Sequence, residues 1–164
     1  MDIPHQPSGE TPVLSLSNEA FLELAEAVLE KRARLRVYCG GCSMHPFVRD
    51  GDIATLESVA RKHLLRVGDI VLCRNPRQGK ATIHRIIGKQ GEGRYLLSGD
   101  NCWDPDGFVE SDDVLGRVAR MERAGRETCL GLGPERLAIV LLIRLRLLRP
   151  AVLLMSRLSH TFFS

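Results

Sequence analysis

The chain has 164 residues, of which 44% are hydrophobic and 26% charged, and its formal net charge is +3. This length holds one domain with a modest core and short appendages, and the composition fits an ordinary soluble globular protein. A charge this small argues against a nucleic-acid partner, and none is expected.

Five cysteines, Cys39, Cys42, Cys73, Cys102 and Cys129, are odd in number and irregular in spacing. Such a set makes a poor disulfide framework and points to a reducing, cytoplasmic compartment. Cys39-Gly40-Gly41-Cys42 has C-x-x-C spacing, but no second pair accompanies it, so neither a metal nor a cofactor is expected.

Residues 1–17 read as a flexible lead-in: polar, proline-containing, with no basic n-region or apolar h-region of a leader. Ser17 or Asn18 can cap a helix, and Phe21, Leu24, Ala25 and Val28 recur at helical spacing, so an amphipathic helix is expected over 18–32. From 33 to 123 short alternating runs lie between glycine-bearing turns. They are Leu35–Tyr38, Asp52–Leu56, Asp69–Cys73, Ala81–Ile87, Tyr95–Leu97 and Val114–Met121, and they predict a mainly β domain built of hairpins. Gly125, Gly131, Gly133 and Pro134 mark 124–135 as a linker.

The tail, 136–164, holds two apolar runs of about seven residues, Leu137–Ile143 and Ala151–Met155, with arginines after each. Both are far shorter than the ~20 residues of a membrane span. Three readings are open: short helices packed on the domain or on a partner chain, a basic apolar anchor lying on a membrane surface, or a disordered tail. The second would make the protein peripheral to a membrane.

Ser43 follows Gly40-Gly41-Cys42 and precedes Met44-His45-Pro46. Two glycines permit a tight turn that can expose the serine and leave its N–H free for an oxyanion, so the backbone at Gly41 and Ser43 is the candidate oxyanion site. A serine nucleophile needs a base. Of the five histidines, His84 lies inside an alternating strand, where an imidazole requires a partner. His5 and His160 are terminal, His63 sits beside Arg61 and Lys62, and His45 is too near Ser43 in the chain to be aimed at it. Asp100, Asp104 and Asp106 supply carboxylates to orient the base. Turn composition alone also accounts for aspartates there.

Six segments carry a resemblance: Gly41-Cys42-Ser43-Met44-His45-Pro46, Asp50-Gly51-Asp52, Val67-Gly68-Asp69-Ile70-Val71, Ile83-His84-Arg85-Ile86-Ile87-Gly88, Gly99-Asp100-Asn101 and Val114-Leu115-Gly116-Arg117-Val118. In this order the chain resembles the signal peptidase I-like serine peptidase superfamily, whose β-fold is shared with the self-cleaving SOS and phage repressors. The resemblance runs over about residues 35–121. It implies that fold with an N-terminal helix and a C-terminal helical tail. It also implies a serine endopeptidase of the Ser–His branch that cleaves a leader or precursor peptide after small residues. On this reading Ser43 is the nucleophile and His84 the base, with support from Asp100 and Asp106 and Asp104 in reserve. Gly41 stands where relatives often carry a hydroxyl that helps the oxyanion, and no membrane anchor is expected in residues 1–33. Those two departures motivate the alternative of a non-catalytic adaptor that keeps the fold and binds a peptide or partner. A self-cleaving regulator would need a DNA-binding domain, and the single helix ahead of the β domain does not make one.

Overall fold

The computed structural model describes residues 15–59, 65–75 and 77–152. Most of the lead-in and the end of the tail lie outside these residues.

Helix α1 spans Asn18–Glu30. Ser17 is its N-cap and accepts the Ala20 N–H through its side chain. The helix buries Leu22, Ala25 and Leu29 on one face, as the i, i+3/i+4 spacing dictates. Eight strands follow: β1 Leu35–Tyr38, β2 Ile53–Ser58, β3 Ile70–Arg74, β4 Ala81–Gln90, β5 Arg94–Ser98, β6 Gly107–Glu110, β7 Val114–Arg123 and β8 Arg126–Thr128. Helix α2, Arg136–Arg144, comes after the strands, and residues 148–152 form a further helical turn.

The strands make one antiparallel sheet in the order β1-β2-β7-β3-β4-β5-β6, with β8 on β7. The long partner of β2 and β3 is β7, which closes the sheet non-locally. Register shifts at Thr55/Leu56, Leu72/Cys73 and Ile86/Gly88 interrupt the ladders and curl them. The curl encloses apolar side chains on both faces, so β3 reads as a continuous buried run rather than an alternating one. Ile70 and Leu72 join a cluster with Ala25, Leu29, Met44, Val48 and Met121. Val71 and Cys73 join Ile86, Tyr95, Leu97 and Val109 on the other face. The mainly β fold with flanking helices is thus present.

One expected boundary is corrected. Residues 124–135 are not a plain linker: Ala124 and Gly125, both with positive φ, form a two-residue turn that brings β8 back onto β7. After β8, the carbonyl of Gly131 reaches the interior to accept from Arg85 at 2.7 Å, and the Gly131 and Gly133 N–H groups donate to Glu135.

The β1–β2 hairpin opens into a long loop, 39–52, that carries Ser43. Its base is pinned by Cys39 N–H on Asp52 O at 2.8 Å and Gly51 N–H on Cys39 O at 3.0 Å. Met44 and Val48 anchor it in the first cluster. Asp52, almost fully buried, accepts from the Arg49 amide and from two nitrogens of Arg123, at 2.8 and 2.7 Å, and Arg123 also donates to Phe47 O. Burial raises the Asp52 pKa, but the bonds from Arg123 and Arg49 outweigh it and hold the carboxyl below its ordinary value.

A carboxylate with a depressed folded-state pKa contributes stability above the unfolded value of about 3.9 and loses it as pH falls through the lower folded value. Arg123→Met strands this carboxylate and should cost about 3 kcal/mol at neutral pH. In urea unfolding at successively lower pH, the gap between wild type and Arg123→Met should begin to narrow as pH falls into the carboxylate range, where the stranded carboxyl of the variant takes up its proton first, and go on narrowing below it. A gap independent of pH would show that Asp52 is not the group responsible.

Candidate active site

Ser43 sits at the exposed shoulder of loop 39–52. Short backbone bonds tighten the chain around it, with His45 N–H on Cys42 O at 3.2 Å and Val48 N–H on Met44 O at 3.0 Å. Gly41 adopts φ +83°, a conformation that side-chain-bearing residues rarely take, which explains glycine at the entry of this turn.

His84 lies on β4 in register with Val71 of β3. Its Nε2 is 3.0 Å from Ser43 Oγ, and its Nδ1 is hydrogen-bonded to Asp106 Oδ2. The carboxylate on Nδ1 places the ring proton there, leaving Nε2 with a lone pair that accepts from the serine hydroxyl. The imidazole is only 6% exposed, so water competes little for either contact. Asp106 is the residue just before β6; its own N–H donates to Leu97 O at 2.9 Å, tying the carboxylate to β5. A hydroxyl, an imidazole and a carboxylate in this chain can transfer a proton away from serine oxygen and stabilise the resulting imidazolium.

The three aspartates named from the sequence have three different places. Asp106 reaches His84. Asp100 does not: it is fully buried and forms a bidentate pair with Arg85, with Nε–Oδ1 and Nη2–Oδ2 both 2.7 Å. Burial pushes the Asp100 carboxyl upward and Arg85 opposes it. Strand alternation accounts for the split, because His84 and Arg85 are neighbours on β4 and project to opposite sides. Asp104 is largely exposed and lies 3.6 Å from Arg146, away from the ring.

The expected oxyanion pair is also corrected. The Gly41 N–H is committed to Asp50 Oδ1 at 2.9 Å. Among the described residues the Ser43 N–H has no protein acceptor, so of the expected pair only the Ser43 amide is free.

Two further residues shape the site, both within the Gly99-Asp100-Asn101 segment. Asn101 holds the nucleophile loop by two bonds: its N–H donates to Ser43 O at 2.7 Å and its side-chain amide donates to Cys42 O at 3.1 Å. Gly99 makes room. A Cβ there would lie 2.6 Å from both Ser43 O and Cys102 Sγ, and 3.1 Å from His84 Nε2. Their signal in the sequence was the turn composition, which gives position but not role.

A cleft of about 740 Å³ opens in front of Ser43 and His84. It runs between β1, which among the described residues pairs with β2 on one side only, and the β3–β4 hairpin, with Val37, Met44, Leu72 and Ile83 on its apolar walls. All five cysteines are free. Burial pushes the thiols of Cys39 and Cys73 up to about 11 and about 12, which leaves them inert. Among the described residues no three His, Cys, Asp or Glu side chains converge as a metal site.

Gly99→Ala should displace Ser43 or His84 by a few tenths of an ångström or more. A misplacement of about 1 Å can cost on the order of 100-fold in rate. Asn101→Ala should likewise lower turnover of any substrate processed at Ser43. Gly99→Ala should also lower the thermal transition, because its Cβ meets backbone, whereas Asn101→Ala should lower it less. A Gly99→Ala protein with an unchanged Ser43–His84 contact and unchanged turnover would refute the steric argument.

No curated protein matches the chain. The sequence model of the Peptidase S24-like family matches residues 8–119, from ahead of α1 into β7, and takes in Ser43, His84 and Asp106. With more than half of its length matched, and with the curled β-sheet in place, the chain belongs to the Peptidase S24-like family.

Proposed function

We propose that this protein is a serine endopeptidase that cleaves an extended peptide or precursor segment with Ser43 as nucleophile, His84 as base and Asp106 as the group that orients the base. The observation that carries the reading is the continuous contact from Asp106 through His84 to Ser43 Oγ, 3.0 Å long at its serine end. Family membership makes peptidase chemistry the natural use of that contact.

In the proposed reaction the substrate lies as a strand beside β1, offering main-chain groups to its unpaired edge. Ser43 Oγ attacks the scissile carbonyl while Nε2 of His84 takes the hydroxyl proton. The tetrahedral oxyanion forms next to the Ser43 N–H. His84 then gives its proton to the leaving amine, and water repeats the sequence to release the acyl group. Val37, Met44 and Ile83 line the cleft beside Ser43, and the resemblance to signal peptidases favours small residues before the bond. With the Gly41 amide held by Asp50, the oxyanion receives one strong donor. A missing donor costs about 100- to 1,000-fold in kcat in serine proteases, so a slow enzyme is expected.

Labelling by an acylating inhibitor, read by mass spectrometry, should place the adduct on Ser43 and vanish in Ser43→Ala. Asp106→Asn should lower kcat on the order of 10⁴-fold through loss of the correct tautomer. Asp100→Asn should act mainly on stability, since its carboxylate serves Arg85. Absence of labelling, with processing unchanged in Ser43→Ala, would remove the peptidase reading and leave the adaptor.

A further inference from the structure

The C-terminal segment leaves an apolar face uncovered. On α2, Ile139 and Val140 are buried against the domain, while Leu137 and Leu141 stand 60% and 57% exposed, and Leu145 just after the helix is 56% exposed. Spacing of four puts these three leucines on one ridge. Leu147 continues the exposed surface at 49%. A helix docked only on its own domain would turn polar residues outward here.

The charges that the segment itself carries have one sign. From 136 to 164 the chain carries five arginines and no aspartate or glutamate. Arg136 is committed to Asp69 at 2.7 Å. Arg144 lies over Gly88, exposed at the surface. Arg146 has only a loose contact of 3.6 Å with Asp104, both being mostly exposed. Arg149 lies 4.6 Å from the centre of the Trp103 ring, which is itself 56% exposed. Exposed leucines, an exposed tryptophan and unneutralised guanidinium groups together match the surface of an anionic bilayer: acyl chains take the leucines, the head-group layer takes tryptophan, and lipid phosphates take arginine. Among the described residues no helix is long and apolar enough to cross a membrane, so the mode is in-plane.

We propose that α2 and the turn after it form a membrane-surface docking site, with Leu137, Leu141 and Leu145 entering the acyl boundary and Arg144, Arg146 and Arg149 meeting anionic head groups. Trp103, under Arg149, follows Cys102, which lines the cleft beside Ser43. Membrane docking does not depend on the peptidase chemistry proposed for that cleft.

The test is flotation of the full-length protein with two kinds of vesicle, phosphatidylcholine alone and equal parts phosphatidylcholine and phosphatidylglycerol. Wild type should float with the anionic vesicles, stay largely free of the neutral ones, and dissociate as salt is raised. Leu137→Glu/Leu141→Glu should reduce anionic-vesicle binding by at least about 100-fold, from lost apolar burial and added repulsion. The triple variant Arg144→Gln/Arg146→Gln/Arg149→Gln should reduce it to a similar degree, at roughly fivefold per arginine. Leu137, Leu141, Arg144 and Arg146 are exposed and Arg149 is partly so, and an unchanged circular dichroism melt verifies folding. Wild type that remains free of anionic vesicles overturns the proposal. So does a leucine variant that binds as well as wild type. A dimer in light scattering that the leucine variant abolishes, without vesicle binding by wild type, would assign the face to a second copy instead.

Discussion

Arg85 is wholly buried and directs four hydrogen bonds inward: two to Asp100, one to Gly68 O and one to Gly131 O. Its guanidinium also lies over the Phe47 ring at 5.7 Å. These contacts join β4, the turn after β5, the turn before β3, the chain after β8 and the Ser43 loop at one point. The three members of the proposed triad come from segments far apart in sequence, and each of those segments either touches Arg85 or adjoins a residue that does. A buried ion pair is costly to desolvate and is weak evidence of net stability. Its effect here is geometric. The planar, bidentate fork fixes the direction of Asp100, and with it Gly99 and Asn101 on either side. Asn101 then clamps the backbone at Cys42 and Ser43, and Gly99 leaves the gap that the serine carbonyl and the imidazole both need.

The same loop that presents Ser43 restricts it. Asp50 closes the glycine turn by binding the Gly41 amide, and Asp52 with Arg123 ties the loop base to the end of β7. A rigid turn favours a fixed serine–imidazole distance. It also withholds one of the two amides that an oxyanion would otherwise meet. On the proposed peptidase reading, positioning and transition-state stabilisation would draw on the same backbone groups, and the Gly41 amide goes to positioning.

Much of this was legible in the sequence. Alternation placed six of the eight strands, missing β6 behind the aspartate-rich turn as well as β8, the capping residue placed α1, and the order of Ser43, His84 and that turn pointed to side chains that the structure brings into contact. The partition of the aspartates was not legible. Asp100 and Asp106 flank the same turn, and only the strand register reveals that one faces Arg85 and the other His84. β8 was hidden for a local reason. Its turn is Ala124-Gly125, and alanine with positive φ carries none of the Asn-Gly signature by which such turns are recognised. The commitment of the Gly41 amide was equally hidden, since a hydrogen bond across nine residues of loop leaves no periodic trace.

The one-sided pairing of β1 has a consequence for timing. A chain segment can occupy the free edge only while it is extended and while its own N–H and C=O groups are unpaired. A segment already folded into a helix, or shielded inside a sheet, must first lose those bonds. On the proposed peptidase reading, this edge would admit a stretch of chain while it is nascent or unfolded and refuse the same sequence once it has found its native structure.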